Sequence, residues 1–273
     1  MNAIVLRTEQ RKIFVLKSSN SNTINNQPIM KELKEIASNW SKLGESDPYW
    51  AVLTYPQYIN NKWDKRKFYK TGEAHFTYVM QPFKDHIQFP INKVLDFGCG
   101  PGRLTFQFAK VANSVIGVDI SKPMIDLAIE TKLFEDKCTF HVNDRDDLSI
   151  IESDSVDLVF SFITLQHNPP KIVEKYLREF MRVSKRNKGK ILFNMVTSPP
   201  LYYKIAHKLL SQKGLNLIRR SIYRKAHTME MNWLSDQKIQ HIFSENGFKL
   251  LKKEKDISVG EDWKSFFYLF EKA

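Results

Sequence analysis

Val94-Leu95-Asp96-Phe97-Gly98-Cys99-Gly100-Pro101-Gly102-Arg103-Leu104-Thr105 passes from an apolar run, through three alternating glycines, into a stretch with helical spacing. Val94 and Leu95 read as the tail of a buried parallel strand, and Leu104, Phe108 and Val111 mark one face of a following helix. Strand, glycine loop and helix open a doubly wound α/β sheet, where the chain bends sharply and a ligand can touch bare backbone. Spacing narrows the choice of ligand. The dinucleotide pattern G-x-G-x-x-G needs a glycine where this chain has Arg103. The glycines instead run G-x-G-x-G behind an acid, Asp96. A tight glycine turn in some other α/β protein is the competing reading of this stretch alone.

Downstream, strands and helices alternate. Residues 114–121 read as a second strand ending in Asp119, with Ser121 as a helix N-cap and Pro123 in the first helical turn. Asp119 lies 17 residues after Gly102, about where the sheet returns beside the loop, and a carboxylate there can accept both hydroxyls of a ribose. A surface acid at a strand end is the plainer alternative. Residues 138–142 read as a third strand, followed by the acidic run Asn143-Asp144-Arg145-Asp146-Asp147. The near-continuous apolar run 156–163 suits a central strand buried on both faces, leading into Thr164-Leu165-Gln166-His167-Asn168-Pro169-Pro170. A helix carrying Ile172, Val173, Tyr176, Leu177, Phe180 and Met181, a strand over 190–196 and a helix over 236–246 stopped by Gly247 complete the alternation.

The D-x-G-x-G-x-G loop resembles the signature of class I S-adenosylmethionine-dependent methyltransferases, and the resemblance runs from Val94 to the C-terminus. It implies a Rossmann-like α/β fold: a seven-stranded, mostly parallel sheet with helices on both faces, closed by an antiparallel pair over 248–257 and 263–270. S-adenosyl-L-methionine is the cofactor it implies. Asp96, Phe97, Gly98, Gly100 and Gly102 would surround the donor, with Asp119 and Ile120 on its ribose side and Met124 against the adenine. Asp144, beside Arg145, would accept from the adenine amino group, with Asp146 and Asp147 open as alternatives. Because ligands in an open α/β sheet sit beyond the strand ends at the switch in strand order, Ser161 to His167, Phe162 among them, should border the methyl group.

The chain divides into a tail and connector (1–28), a helical cap (29–90) and a methyltransferase domain (91–273) carrying an inserted helical lid (198–234). The connector reading rests on the Ser- and Asn-rich run 18–27, and the cap on a helix beginning at Pro28 with Ile29, Leu33 and Ile36 on one face. An aromatic-dense region follows, from Trp40 to Tyr78. Its rings are either the cap's own core or part of an acceptor pocket. The lid reading rests on length, because connections in compact domains have a median of about 4–6 residues.

Two cysteines, Cys99 and Cys138, make neither a disulfide framework nor a metal set, so no metal is expected. With no 20-residue apolar segment and no signal-peptide pattern, a soluble cytoplasmic protein is the expectation. The formal charge is +12, from 42 Lys and Arg against 30 Asp and Glu. Basic residues gather at Lys62, Lys65, Arg66, Lys67 and Lys70, and again over 201–230. Solvated helix faces are the default, and a rim drawing in an acidic acceptor is the alternative. No recognised nucleic-acid module is apparent, and Asn168-Pro169-Pro170-Lys171 departs from the N-P-P-Y tetrapeptide of base methylases, so nucleic acid is not the expected partner.

Methyl transfer from a sulfonium is an in-line displacement that needs positioning, worth on the order of 7–11 kcal/mol, more than it needs protein chemistry. A hydroxyl acceptor adds the need for a base, and His167 is placed for it by following the central strand. Bracing the turn before Pro169 is its structural alternative. O-methylation of a small metabolite is the expected function, on a sugar hydroxyl or on the carboxylate of a natural product or peptide. N-methylation of an amine or RNA, and a binding module without catalysis, are the alternatives.

Overall fold

A computed structural model describes residues 27–209 and 229–273. The expected tail and most of the connector, and the lid residues 210–228 with most of the basic cluster, lie outside the described residues. The seven strands are β1 (Ile91–Phe97), β2 (Ala112–Asp119), β3 (Cys138–Val142), β4 (Leu158–Ser161), β5 (Lys190–Ser198), β6 (Phe248–Asp256) and β7 (Lys264–Lys272). They form one sheet in the order β3-β2-β1-β4-β5-β7-β6. Strands β1 to β5 run parallel, and β7 pairs antiparallel with both β5 and β6.

Alternation along the strands splits the core in two, because successive side chains leave opposite faces of a sheet. Leu95, Phe97, Val159, Ile191 and Phe193 join one apolar cluster, while Val94, Leu158, Phe160 and Leu192 join the other. The first is covered by α6 (Pro170–Val183) and α8 (Asp236–Ser244), through Ile172, Tyr176, Phe180, Ile239 and Phe243. The second is covered by α3 (Lys65–Met80) and α4 (Thr105–Ala109), through Val79, Phe106 and Phe108.

The region 29–90 therefore serves both faces. Helix α1 (Gln27–Ser46) sends Leu33, fully buried, into the first core, with Ile29 and Ile36 packed beside it. Helix α3 belongs to the other face. Between them, α2 (Pro48–Val52) and the aromatic cluster of Trp63 and Phe68, with Tyr49 and Tyr58 against it, form a small core of their own.

Several elements depart from the sequence expectation for local reasons. The helix after the glycine loop is short, and Val111 lies beyond it, where the chain turns into β2. Strand β4 stops at Ser161 rather than running to 163, because Ile163 takes a left-handed conformation at φ 55°. Ser121 does precede α5 (Lys122–Glu130), but its hydroxyl makes no cap. It donates instead to the Trp40 carbonyl at 3.2 Å and so ties α1 to α5. Helix α7 (Leu201–Leu209) begins the long connection after β5, and none of the helices described is long and apolar enough to cross a membrane.

A crevice at the switch in strand order

Strand order reverses at β1, whose neighbours β2 and β4 carry the chain to opposite sides, and a crevice opens beyond these strand ends. It encloses about 1030 Å³ of space, solvent at its mouth included. The glycine loop is its floor. A Cβ built on Gly98 would stand 2.1 Å from the Thr164 hydroxyl oxygen, and φ there is 77°, so only glycine lets the loop and the turn after β4 close together. At Gly100 a Cβ would meet little besides Val52, at 3.3 Å, so the space above this residue belongs to the crevice.

Asp119 at the tip of β2 clamps this loop. Its carboxylate accepts the Gly100 N–H at 2.9 Å and the Ser121 N–H at 2.8 Å, one on each oxygen. A carboxylate has roughly four acceptor positions, so each oxygen retains a lone pair for a ligand hydroxyl. Burial pushes the Asp119 pKa up, and the backbone N–H groups of Ser121, Gly100 and Ile120 oppose that rise. Asp96, at the end of β1, is buried and accepts the Thr105 hydroxyl at 2.6 Å. Burial, with the Asp119 carboxylate adding to it, raises its pKa to about 7 against the partial opposition of Thr105 and Arg103.

His167 sits in a 3₁₀ turn, Leu165–His167, between β4 and α6. It is buried, and its Nδ1 lies 2.7 Å from the Glu230 carbonyl oxygen. A carbonyl can only accept, so Nδ1 carries the proton and Nε2 holds the lone pair. Burial lowers the pKa of the ring, keeping it neutral. Trp40 of α1 packs edge-on against this ring at 5.2 Å. The Asn232 N–H donates to the Gln166 carbonyl at 2.7 Å, so the extended segment around 230–232 is strapped along the same turn.

Residues 94–187 match the family model described as a methyltransferase domain. Over that span the chain carries a methyltransferase domain. The chain is 27% identical over 135 residues to a ubiquinone biosynthesis O-methyltransferase of Hydrogenovibrio crunogenus, covering 47% of this chain and 54% of that one. It is 30% identical over 99 residues to a ribosomal protein L11 methyltransferase of Shewanella woodyi, covering 35% and 34%. The chain thus spans about half or less of the curated relatives it matches. Among solved structures, the magnesium protoporphyrin IX methyltransferase of Synechocystis PCC 6803 with bound S-adenosylhomocysteine superposes with a TM-score of 0.58. That match covers 89% of this chain and 100% of that one at 15% identity, a likeness of fold.

The methyltransferase domain gathers Asp96, Phe97, Gly98, Gly100, Asp119, Ile120, Met124, Phe162 and His167 around the crevice. Three expected residues lie elsewhere. Gly102 serves the turn: a Cβ there would stand 2.9 Å from the Phe106 ring, and its carbonyl accepts the Phe106 N–H. Asp144 and Arg145 are exposed, and it is the buried Asn143 that reaches the wall at the tip of β3. Asn143 donates to the Arg145 and Asp147 carbonyls, which turns the acidic run outward. Asp146 pairs there with Lys175, and Asp147 with Arg145.

Further residues complete the wall. Ile163 and Thr164 fall within the stretch 161–167 expected to border the methyl group, and both line the crevice. Arg103, which in the sequence only breaks a dinucleotide spacing, lines it as well. It is buried, and its guanidinium donates to His75 Nδ1 at 2.9 Å; burial, with this cation adding to it, brings the His75 pKa down to about 4. The cap lysines and Arg66 are exposed and absent from the crevice wall.

S-adenosylmethionine suits this site on the structure's own terms. Bare backbone at Gly100, two carboxylates at adjoining strand tips and the apolar flank of Met124 and Ile120 match a cationic, hydroxylated ligand with one flat apolar end.

Proposed function

We propose that this chain transfers a methyl group from S-adenosylmethionine to a hydroxyl oxygen of a small acceptor, with His167 as general base. The observation that carries the reading is the 2.7 Å contact of His167 Nδ1 with the Glu230 carbonyl in a buried setting, because it leaves Nε2 as a neutral proton acceptor. The bound donor supplies a methyl group on a sulfonium, ready for in-line displacement. Asp119 takes the ribose hydroxyls on its remaining lone pairs, and Met124 and Ile120 flank the adenine. Asn143 serves the adenine edge in place of Asp144. Asp96 and the bare backbone of the glycine loop face the charged amino-acid end. Ile36, Trp40, Val52 and Phe162 give the acceptor side an apolar wall that excludes water.

A hydroxyl acceptor is preferred over a carboxylate because an anion would need a cationic partner. Arg103, the lysine- or arginine-type group lining the described wall, is already turned to His75. The Hydrogenovibrio relative is named as an O-methyltransferase, which agrees with oxygen as the target.

The test is methyl transfer from labelled S-adenosylmethionine to a panel of phenolic, sugar, carboxylate and amine acceptors, with wild type and His167→Ala. Loss of a general base costs about 10²–10⁴-fold. The expected result is turnover of a hydroxylated acceptor that falls by at least about tenfold in the variant. With neutral His167 retained by burial, the wild-type rate should hold as pH falls through the ordinary histidine value of about 6.5. Turnover of carboxylates alone, unchanged in His167→Ala, would contradict the assignment.

A further inference from the structure

We infer that Asn194 and Asp256 are positioning residues, a buried hydrogen-bonded relay that holds Ile163 in its left-handed conformation and so sets the crevice wall formed by Phe162, Ile163 and Thr164. The inference deepens the methyl-transfer reading and rests on it for its function, though the relay itself does not.

Ile163 lies two residues past the end of β4 at Ser161, where the chain turns toward His167. A β-branched side chain at φ 55° is a steric outlier, so something outside the turn must hold it. The Ile163 N–H donates to Asn194 Oδ1 at 2.7 Å. Asn194 is the one polar residue in the run Ile191-Leu192-Phe193-Asn194-Met195-Val196 of β5, and it is buried. On the strand's alternation it shares a face with Leu192, in the apolar cluster under α3. Its amide nitrogen donates to Asp256 Oδ2 at 2.7 Å.

Asp256, at the end of β6, has no exposure to solvent. Oδ2 also accepts the Ser265 hydroxyl at 2.8 Å, and Oδ1 accepts the Ser258 N–H at 2.9 Å and the Tyr78 hydroxyl at 3.4 Å. With four donors converging on it, the carboxylate is fixed, and it fixes the amide, leaving Asn194 oxygen directed at Ile163. One step beyond, Thr164 fills the space that a side chain on Gly98 would need. The relay thus sets the gap between the turn and the glycine loop.

Stability alone is a poor account of this arrangement. Replacing both partners of a buried hydrogen bond by apolar groups of the same shape is often near neutral. Orientation is what an apolar pair cannot supply.

The test is a double-mutant cycle on the full chain: Asn194→Ala, Ile163→Gly and the two combined. Each is titrated with S-adenosylhomocysteine by calorimetry, with hydrogen exchange followed over 158–168. Glycine adopts a positive φ without help. Asn194→Ala should therefore weaken binding by at least about tenfold in the wild-type background and by less than about threefold in the Ile163→Gly background, a coupling in the range seen for contacting residues. Exchange over 158–168 should quicken in Asn194→Ala. Equal losses in both backgrounds, or no loss with unchanged exchange, would overturn the proposal. Should Asn194→Ala fail to fold, Asp256→Asn replaces it in the same cycle with the same expected pattern. If the wild type itself does not bind S-adenosylhomocysteine, the cofactor reading fails, and the exchange measurement alone then decides on the relay.

Discussion

Asp96 is a carboxylic acid that the fold holds at a cost. In an unfolded chain it would lose its proton near pH 3.9, whereas in the crevice burial holds it to about 7. Between those values the folded state binds the extra proton, so its stability falls as pH rises through the window and levels off above it. Asp96→Asn has no proton to give up. The difference in melting temperature between the variant and wild type should therefore widen in the variant's favour from about pH 4 to about pH 7 and then stay constant. A constant difference across the range would show that Asp96 is not carrying that burden. The same variant should bind S-adenosylhomocysteine more weakly, as expected where a functional group is kept against stability. His75 works in the opposite direction, since its pKa of about 4 lies below the ordinary histidine value, so its contribution is lost as pH falls toward 4. Comparing the variant with wild type removes that shared term.

At the scale of elements, the junction of the glycine loop with the turn after β4 is the least forgiving point. Gly98→Ala would set a methyl group 2.1 Å from the Thr164 hydroxyl oxygen in a backbone conformation that alanine resists. A loss of about 1–3 kcal/mol or more is expected in denaturant unfolding, together with loss of S-adenosylhomocysteine binding. Near-wild-type stability would mean the turn is looser than described. The elements also show where the sequence was legible. Strand β3 and the end of β2 at Asp119 were plain from apolar runs bounded by acids, and α6 from its periodicity. At the tip of β3 the expected Asp144 is exposed and the buried Asn143 reaches the wall instead, because burial rather than charge decides which residue lines a crevice. Likewise, the break at Ile163 left no mark in composition, since it is imposed by Asn194 from the neighbouring strand. A lone Asn within β5 was the available signal.

Over the whole molecule, the sheet order places the strand tips of β1, β2, β3 and β4 around one opening, while the two cores lock the sheet from either side. The α/β class could be read from alternation and the glycine loop, whereas the seven-stranded sheet and its closing antiparallel pair were implied by the family resemblance. The division of 29–90 between two faces could not, since apolar helices look alike whichever core they join. The net charge of +12 is a separate property, and the cap's cations stand in solvent away from the crevice. Nucleic-acid binding through about six phosphate contacts would fall about 10³-fold between 50 and 200 mM salt. S-adenosylhomocysteine affinity should change by less than about twofold over that interval, because its site is enclosed and screened little. A parallel decline of the two would place the ligand site on the basic surface instead.

The most direct measurement is a calorimetric titration of the full chain and of Asp119→Ala with S-adenosylhomocysteine. Hydrogen bonds to a charged group contribute about 1.5–3 kcal/mol each. Wild type should bind one equivalent, and the variant should bind at least about tenfold more weakly. Equal affinity in the two proteins, or no binding by the wild type, would contradict the claim that the acid-tipped glycine crevice holds the methyl donor.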